Sequence, residues 1–196
     1  MRRPFNACVL DIETTALEAV GGGFILCAVL KPLGNKSVKI FRVDRSHDEL
    51  GKEKNMLTKL IAELKKYDLV IGHNLEGFDF NYIKTRAMIL KVPFPQRPLI
   101  YDTYKGFKRT GYRTVLTRMG KPSGSLDMVI DLFRKKQRKT KIYPNHHWDT
   151  VWGSPPERHA AMRDLIEHCV ADVLMNEELF WYVFEADYSP ILKRAR

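Results

Sequence analysis

The sequence lacks the features of a membrane-spanning, disulfide-rich or zinc-binding protein. None of its apolar runs approaches the roughly 20 residues that a membrane-spanning helix needs. Its three cysteines, Cys8, Cys27 and Cys169, are widely spaced and form no CxxC pair, which predicts reduced core residues rather than disulfides or a zinc site. Residues 1–5 lead straight into a strand pattern without the apolar run of a signal peptide, so we expect a cytoplasmic protein.

Nothing in the sequence divides the chain into separate units. It contains no internal repeat, no low-complexity tract and no second-domain boundary. A length of 196 residues suits one domain with a sizeable core. We therefore expect a single domain over 1–196, with a frayed tail at 190–196.

Acidic residues are nearly missing from one stretch, the basic segment 105–141. It carries twelve Lys or Arg against two Asp and no Glu, which accounts for the whole net charge of +10. A localised basic surface is typical of proteins that bind a polyanion. Taken alone, the segment is also consistent with a solvated loop that has no partner.

The apolar periodicity predicts an α/β fold, with a mixed β-sheet flanked by α-helices, because three strands come first and strands then alternate with helices. The predicted strands are 5–11, 24–30, 36–43, 68–72 and 99–101. The predicted helices are 46–66, 78–90, 125–134 and 157–184.

Two carboxylates stand at the end of the first predicted strand. Asp11 and Glu13 are two residues apart, so their side chains leave the same face of a strand. Neighbouring negative charges repel and are costly to desolvate, which favours a compensating cation. Oxygen ligands are preferred by hard divalent ions such as Mg²⁺ or Mn²⁺.

Two more acidic residues occur in helical contexts. Asp79 lies in the first turn of a helix that follows a buried strand, where an Asp commonly serves only as a helix cap. His168 and Asp172 are four residues apart on the final helix and share one of its faces. Alone, this last pair is equally consistent with an exposed His–Asp contact.

Taken in chain order, the groups of residues around Asp11, Asp79 and His168 resemble the three exonuclease motifs of the DEDD superfamily, the DnaQ-like 3′→5′ exonucleases with an RNase H-like fold. The second group is most similar to that of family-B DNA polymerase proofreading domains and their stand-alone relatives. The resemblance covers about residues 5–185. The matching residues are 11–15 (DIETT), Asn74 with Phe78 and Asp79, and His168 with Asp172.

One position departs from the superfamily pattern. Its members carry either Tyr-x3-Asp or His-x4-Asp in the third motif, whereas this chain has His168 at the three-residue spacing from Asp172. A rival register, His159 with Asp164, fits the second spacing by count. We disfavour it because His159 lies close to the start of the helix and its surroundings match less well.

The resemblance implies a metal-dependent 3′→5′ exonuclease with two Mg²⁺ or Mn²⁺ ions held by Asp11, Glu13, Asp79 and Asp172. Asp11 would bridge both ions. Glu13 and Asp172 would complete the site of the ion that holds the attacking water, and Asp79 would support the second ion. His168 would take the proton from that water or orient it.

The resemblance also implies a substrate, single-stranded nucleic acid with a free 3′ end, and favours DNA over RNA. Thr14 and Leu17 would lie near the terminal nucleotide, and Asn74 and Phe78 would line its pocket. The basic segment would hold the phosphate backbone. The cations expected to do so are Arg134, Lys135, Lys136, Arg138, Lys139 and Lys141.

Two other classes of function stay open at this stage. One is a non-catalytic nucleic-acid-binding module of the same fold, and the other is an RNase H-like endonuclease. A run of aromatic and histidine residues at 140–153 is expected to be a surface loop, with Trp148 packed on the body. Because adjacent histidines such as His146 and His147 point in different directions, we do not expect a metal site there, although the loop could flank the substrate path.

Overall fold

The computed structural model describes residues 6–43, 49–94, 98–110, 125–126, 128–129 and 146–194. In this part of the chain it shows five strands in one mixed sheet. The strands are β1 (Ala7–Thr14), β2 (Ile25–Pro32), β3 (Lys39–Arg42), β4 (Leu69–Gly72) and β5 (Leu99–Asp102). Their spatial order is β3-β2-β1-β4-β5, with β1 to β3 antiparallel and β1, β4 and β5 parallel.

The central strand β1 runs further than the sequence predicted. The expectation ended it at Asp11, but the pairing with β2 continues from Asp11 opposite Val29 to Thr14 opposite Ile25. On its other side, β1 pairs with β4 only as far as Val9. Among the strands, only β2 therefore pairs with the polar end of β1, and the sheet is open on the other side of that end.

Five helices are described, and two of them were not predicted. The helices are α1 (Glu49–Leu64), α2 (Asp79–Ile89), α3 (Thr103–Arg109), α4 (His146–Trp152) and α5 (Pro155–Arg194). Helix α3 begins at Asp102, whose side chain accepts the backbone N–H groups of Tyr104 and Lys105, an N-cap that the sequence analysis missed. None of the described helices is long and apolar enough to cross a membrane.

Three expectations about the C-terminal third need correction or stay untested. The predicted loop at 140–153 contains helix α4 instead, and α5 continues to Arg194, where a helix end at 184 and a frayed tail at 190–196 were expected. Of the predicted helix 125–134, Leu126, Met128 and Val129 are helical and Ser125 is not, while 127 and 130–134 lie outside the described residues.

The core lies where α5 packs on the sheet. Leu165, Cys169 and Val173 of α5 are fully buried, as are Cys8 and Cys27 in the strands. All three cysteines are free thiols, which confirms the prediction of reduced core residues. Burial raises the pKa of the Cys169 thiol well above its usual value.

A buried ion pair connects two helices to the loop that follows β1. Arg86 of α2 donates from Nε and Nη2 to the two carboxylate oxygens of Glu53 of α1, and 5 % and 0 % of their side chains, respectively, are exposed. Glu53 also accepts the N–H of Ile25 at 2.9 Å, and Arg86 donates to the carbonyl of Ala19 at 3.1 Å. The pair therefore fixes the segment between β1 and β2.

Replacing Arg86 should destabilise the protein strongly, because the carboxylate of Glu53 would stay buried without its cation. We expect Arg86→Met to lower the free energy of unfolding by about 3–5 kcal/mol in urea denaturation. The matched control is Lys66→Met, which removes an exposed partner of Glu63 and should cost less than about 1 kcal/mol. Equal losses in the two variants would contradict the assigned role of the pair.

Candidate active site

Four carboxylates from three separate parts of the sequence border one cleft at the open end of β1. The cleft has a volume of about 490 Å³. Asp11 and Glu13 come from β1, Asp79 from the start of α2, and Asp172 from the middle of α5. The cleft is further lined by Ile12, His73, Asn74, Phe78, Tyr104, Ser125 and Leu126.

Asp79 is held against β1 by a hydrogen bond. The backbone N–H of Ile12 donates to Asp79 Oδ1 at 3.2 Å, across 67 positions of sequence. The residue before α2, Phe78, makes no side-chain cap. A role limited to capping its own helix therefore does not describe Asp79, which joins α2 to the strand that carries the first two acids.

Burial and the charges of neighbouring carboxylates raise the pKa values of Asp11 and Asp79 in the metal-free protein. Burial raises the pKa of Asp11 well above its usual value, and the charges of Asp79, Asp172 and Glu13 raise it further. Burial also raises the pKa of Asp79 to about 8, despite the backbone hydrogen bonds that it accepts. A cation bound beside these carboxylates would therefore lower the electrostatic energy of the cluster.

The donor set fits a hard divalent ion, although the side chains do not yet enclose one. Asp11 Oδ2 is buried and accepts no hydrogen bond from the described part of the chain. A cation bound there would satisfy this oxygen and offset the repulsion. Within the described ranges, no three such side chains already stand in a ready coordination arrangement.

Two histidines contact the carboxylate of Glu13. His168 is buried, and its Nε2 lies 3.9 Å from both Glu13 Oε1 and Asp172 Oδ2. His147 of α4 lies on the other side, with Nε2 3.0 Å from Glu13 Oε2. By contrast, His159 of the rival register is exposed on α5. The geometry thus favours the register that pairs His168 with Asp172.

The residues predicted near a terminal nucleotide lie along two adjoining clefts. Asn74 and Phe78 line the acidic cleft. Thr14, Leu17 and Phe78 line a second cleft of about 380 Å³, where Leu17 is 82 % exposed. Both clefts are lined by Ile12, Glu13 and Phe78, so they adjoin, and the predicted residues lie around the same part of the surface.

The loop that carries Asn74 is fixed by Asp102. Asp102 is 4 % exposed, and its carboxylate accepts the N–H groups of Asn74 at 3.0 Å and Glu76 at 3.2 Å. Asn74 has a left-handed backbone (φ 60°), which Asn tolerates better than most residues. Gly77 fits closely beside it, because a Cβ there would lie 2.3 Å from Asn74 Oδ1.

Sequence reasoning missed Asp102 and Tyr104 as residues of this region, and it assigned His147 only to a loop that could flank the substrate path, without a contact to the acids. Asp102 had a signal, since Asp followed by Thr at the end of a strand is typical of a helix N-cap. His147 and Tyr104 had none, because their proximity to the acids arises only in the folded chain. The predicted phosphate-binding residues lie outside the described residues: Arg134, Lys135, Lys136, Arg138, Lys139 and Lys141.

The sheet order and the acidic cleft agree with the class that the sequence predicted, a DnaQ-like 3′→5′ exonuclease domain of RNase H-like fold. The family model of the DNA polymerase family B exonuclease domain matches residues 27–151, and the chain belongs to that family. The matched range includes Asn74 and Asp79 but not Asp11, Glu13, His168 or Asp172. The roles of all six residues stay predictions.

A solved structure supports the fold. The family B DNA polymerase from the hyperthermophilic archaeon Pyrobaculum calidifontis is similar to this chain with a TM-score of 0.63 and 20% sequence identity. The similarity covers 95% of this chain and 26% of that polymerase, so the chain spans about a quarter of its length. No curated protein matches the chain.

Removing one buried acid should stabilise the metal-free protein at alkaline pH. A carboxyl whose folded-state pKa is raised stabilises the fold below its unfolded value near 3.8 and loses that contribution as the pH rises. In chelator, we expect the Tm of the native protein to fall from pH 5 to pH 8. Asp11→Asn should raise Tm at pH 8 by about 3 °C or more, measured by calorimetry.

The metal response provides the second half of this test. Added Mn²⁺ should raise the Tm of the native protein and have little effect on Asp11→Asn, because the variant lacks a central ligand. Glu167→Gln, an exposed change of equal charge on α5, should behave like the native protein. A lower Tm for Asp11→Asn in chelator at pH 8 would disprove the assigned repulsion.

Proposed function

We propose that this protein is a metal-dependent 3′→5′ exonuclease that hydrolyses phosphodiester bonds of single-stranded nucleic acid, with DNA favoured over RNA. The observation that supports this most strongly is the convergence of Asp11, Glu13, Asp79 and Asp172 on one open cleft. Membership of the family B exonuclease domains supports the proposed preference for DNA. The acidic cleft also adjoins a second cleft lined by Leu17 and Phe78, where an exonuclease would hold the end of a strand.

The proposed cofactor is Mg²⁺ or Mn²⁺, two ions in all, held by Asp11, Glu13, Asp79 and Asp172. When bound, such ions stabilise negative charge on phosphoryl oxygens and make a water molecule more acidic. The protein contributes rigid placement: Asp11 and Glu13 leave one face of a strand paired with β2, and Asp79 is hydrogen-bonded to the same strand. Little reorganisation is then needed when substrate arrives.

His168 is the proposed proton acceptor for the attacking water, or the group that orients it. Its imidazole lies between Glu13 and Asp172, so water held by either carboxylate is within reach of Nε2. His changes its charge near neutral pH more readily than the Tyr found at this position in related exonucleases. Its burial keeps bulk solvent away from the proton that moves.

The terminal nucleotide would be held by side chains around the cleft. Phe78 offers an aromatic face for stacking, and Asn74 offers an amide at a position fixed by Asp102. Thr14 and Leu17 would contact the sugar and base from the side of the second cleft. The phosphates further along the strand would meet the basic segment 105–141, so binding should weaken steeply with salt.

Loss of a central carboxylate should abolish degradation. We expect Asp11→Ala and Asp172→Ala to lose at least about 10³-fold in rate, since several kcal/mol of transition-state stabilisation would be lost. The assay follows 5′-labelled single-stranded and duplex DNA and RNA with Mg²⁺, Mn²⁺ or chelator. The native protein should give a ladder that shortens from the 3′ end.

Two controls give this assay its meaning. Glu167→Ala, which removes an exposed acid of α5, should keep the native rate. A circular single strand should resist degradation, because an exonuclease needs a free end. Native rates in both carboxylate variants would refute the site, whereas cleavage of circles would indicate an endonuclease, and binding without any cleavage would indicate a non-catalytic module.

Replacing His168 should slow the chemical step while leaving ion binding intact. We expect His168→Ala to lower kcat by about 10²–10⁴-fold, the range for removal of a general base, with an unchanged Mn²⁺ affinity measured by calorimetry. The matched control is His159→Ala, which removes the exposed histidine of the rival register. If His159→Ala loses activity and His168→Ala does not, the assignment of the third motif is wrong.

A further inference from the structure

Helix α4 brings a second histidine to the acidic site from a part of the chain that carries none of the three motifs. His147 Nε2 lies 3.0 Å from Glu13 Oε2, across 134 positions of sequence. Its side chain is 28 % exposed and that of Glu13 is 13 % exposed, so the contact is largely shielded from water. The mechanism proposed above makes no use of this contact.

The backbone around His147 is well anchored. Thr150 Oγ1 donates to the carbonyl of His147 at 2.7 Å, and both Thr150 and the next residue, Val151, are buried. Helix α4 packs against α5, the helix that carries Asp172. The imidazole of His147 is therefore held beside Glu13 by α4, which packs on the same helix that carries His168 and Asp172.

The contact leaves one oxygen of Glu13 available to the acid cluster. A carboxylate oxygen only accepts hydrogen bonds, so Nε2–H of His147 donates to Oε2. The other oxygen, Oε1, faces His168, which in turn faces Asp172. A hydrogen bond on Oε2 thus fixes the rotamer of Glu13 and directs Oε1 towards His168, which in turn contacts Asp172.

We propose that His147 is a positioning residue that holds Glu13 in the orientation required to bind a divalent ion. Carboxylates that ligate metals are usually held by a hydrogen bond from an outer group, and loss of that group typically weakens binding or activity about 10–100-fold. The inference rests on the proposed function only in taking Glu13 as a ligand of the ion. It adds a residue from outside the three motifs to the site.

The direct test measures Mn²⁺ binding without nucleic acid, from the electron paramagnetic resonance signal of free Mn²⁺. We expect His147→Ala to weaken Mn²⁺ binding about tenfold, because Glu13 would then sample several rotamers. His147→Gln, whose side-chain amide can donate to the same oxygen, should recover most of the affinity. His159→Ala, an exposed histidine on α5, should bind Mn²⁺ like the native protein.

A double-mutant cycle shows whether His147 acts through Glu13. In a Glu13→Gln background, adding His147→Ala should change Mn²⁺ affinity by less than about twofold, because the partner carboxylate is already absent. In the exonuclease assay, His147→Ala should raise the Mn²⁺ concentration for half-maximal rate about tenfold. The kcat at saturating Mn²⁺ should stay within about threefold of native.

A purely structural role would give a different pattern. Unchanged or tighter Mn²⁺ binding by His147→Ala, or a lower Tm with unchanged Mn²⁺ affinity, would overturn the proposal. So would equal losses of Mn²⁺ affinity with and without Glu13. These outcomes differ from a failure of the proposed function, in which the native protein itself would not degrade single strands in Mn²⁺.

Discussion

The candidate site depends on a fold that keeps mutually repelling carboxylates together at the open end of one strand. Asp11 and Glu13 lie on β1 beyond its pairing with β4, so only β2 holds that end of the strand. Asp79 is hydrogen-bonded to the same strand, and Asp172 projects from a helix whose neighbouring residues are in the core. Each acid is thus fixed by an element that cannot move away without unpacking the fold. A rigid, repelling cluster of this kind favours cations over water, because no local relaxation lowers its energy.

Much of this arrangement follows from the sequence because it depends on local patterns. The i, i+2 spacing of Asp11 and Glu13 and the i, i+4 spacing of His168 and Asp172 fix their faces before any tertiary contact forms. The position of His147 has no such local cause. Its α4 is a short helix that tertiary packing favours over the loop suggested by its composition, and nothing in the sequence tells which distant carboxylate it will meet.

The excess positive charge of the protein and the acids of the cleft lie in different parts of the chain. The protein has a net charge of +10, yet the cleft walls carry acids, so the excess of cations lies elsewhere. The described start of the basic segment is α3, whose Tyr104 lines the cleft while Lys108 stands 3.8 Å above its ring. An anionic strand drawn to the basic segment would therefore pass close to acids that need metal ions before they can tolerate it.

Other buried carboxylates of the same protein show what a structural acid looks like here. Glu53 is paired with Arg86 and a backbone N–H, and Asp102 accepts backbone N–H groups from the loop before α2 and from the start of α3. Each of these has its oxygens bonded, as buried polar groups normally do. Asp11 Oδ2 is equally buried but accepts no hydrogen bond from the described residues. Glu178 Oε2 on α5 is also buried without a hydrogen bond from the described residues, so an open oxygen alone does not identify a site. What distinguishes Asp11 is that its open oxygen belongs to a group of four acids that line one cleft. A cation bound among these acids would satisfy that oxygen and offset the negative charge that surrounds it, which is the energetic basis of the proposed metal site.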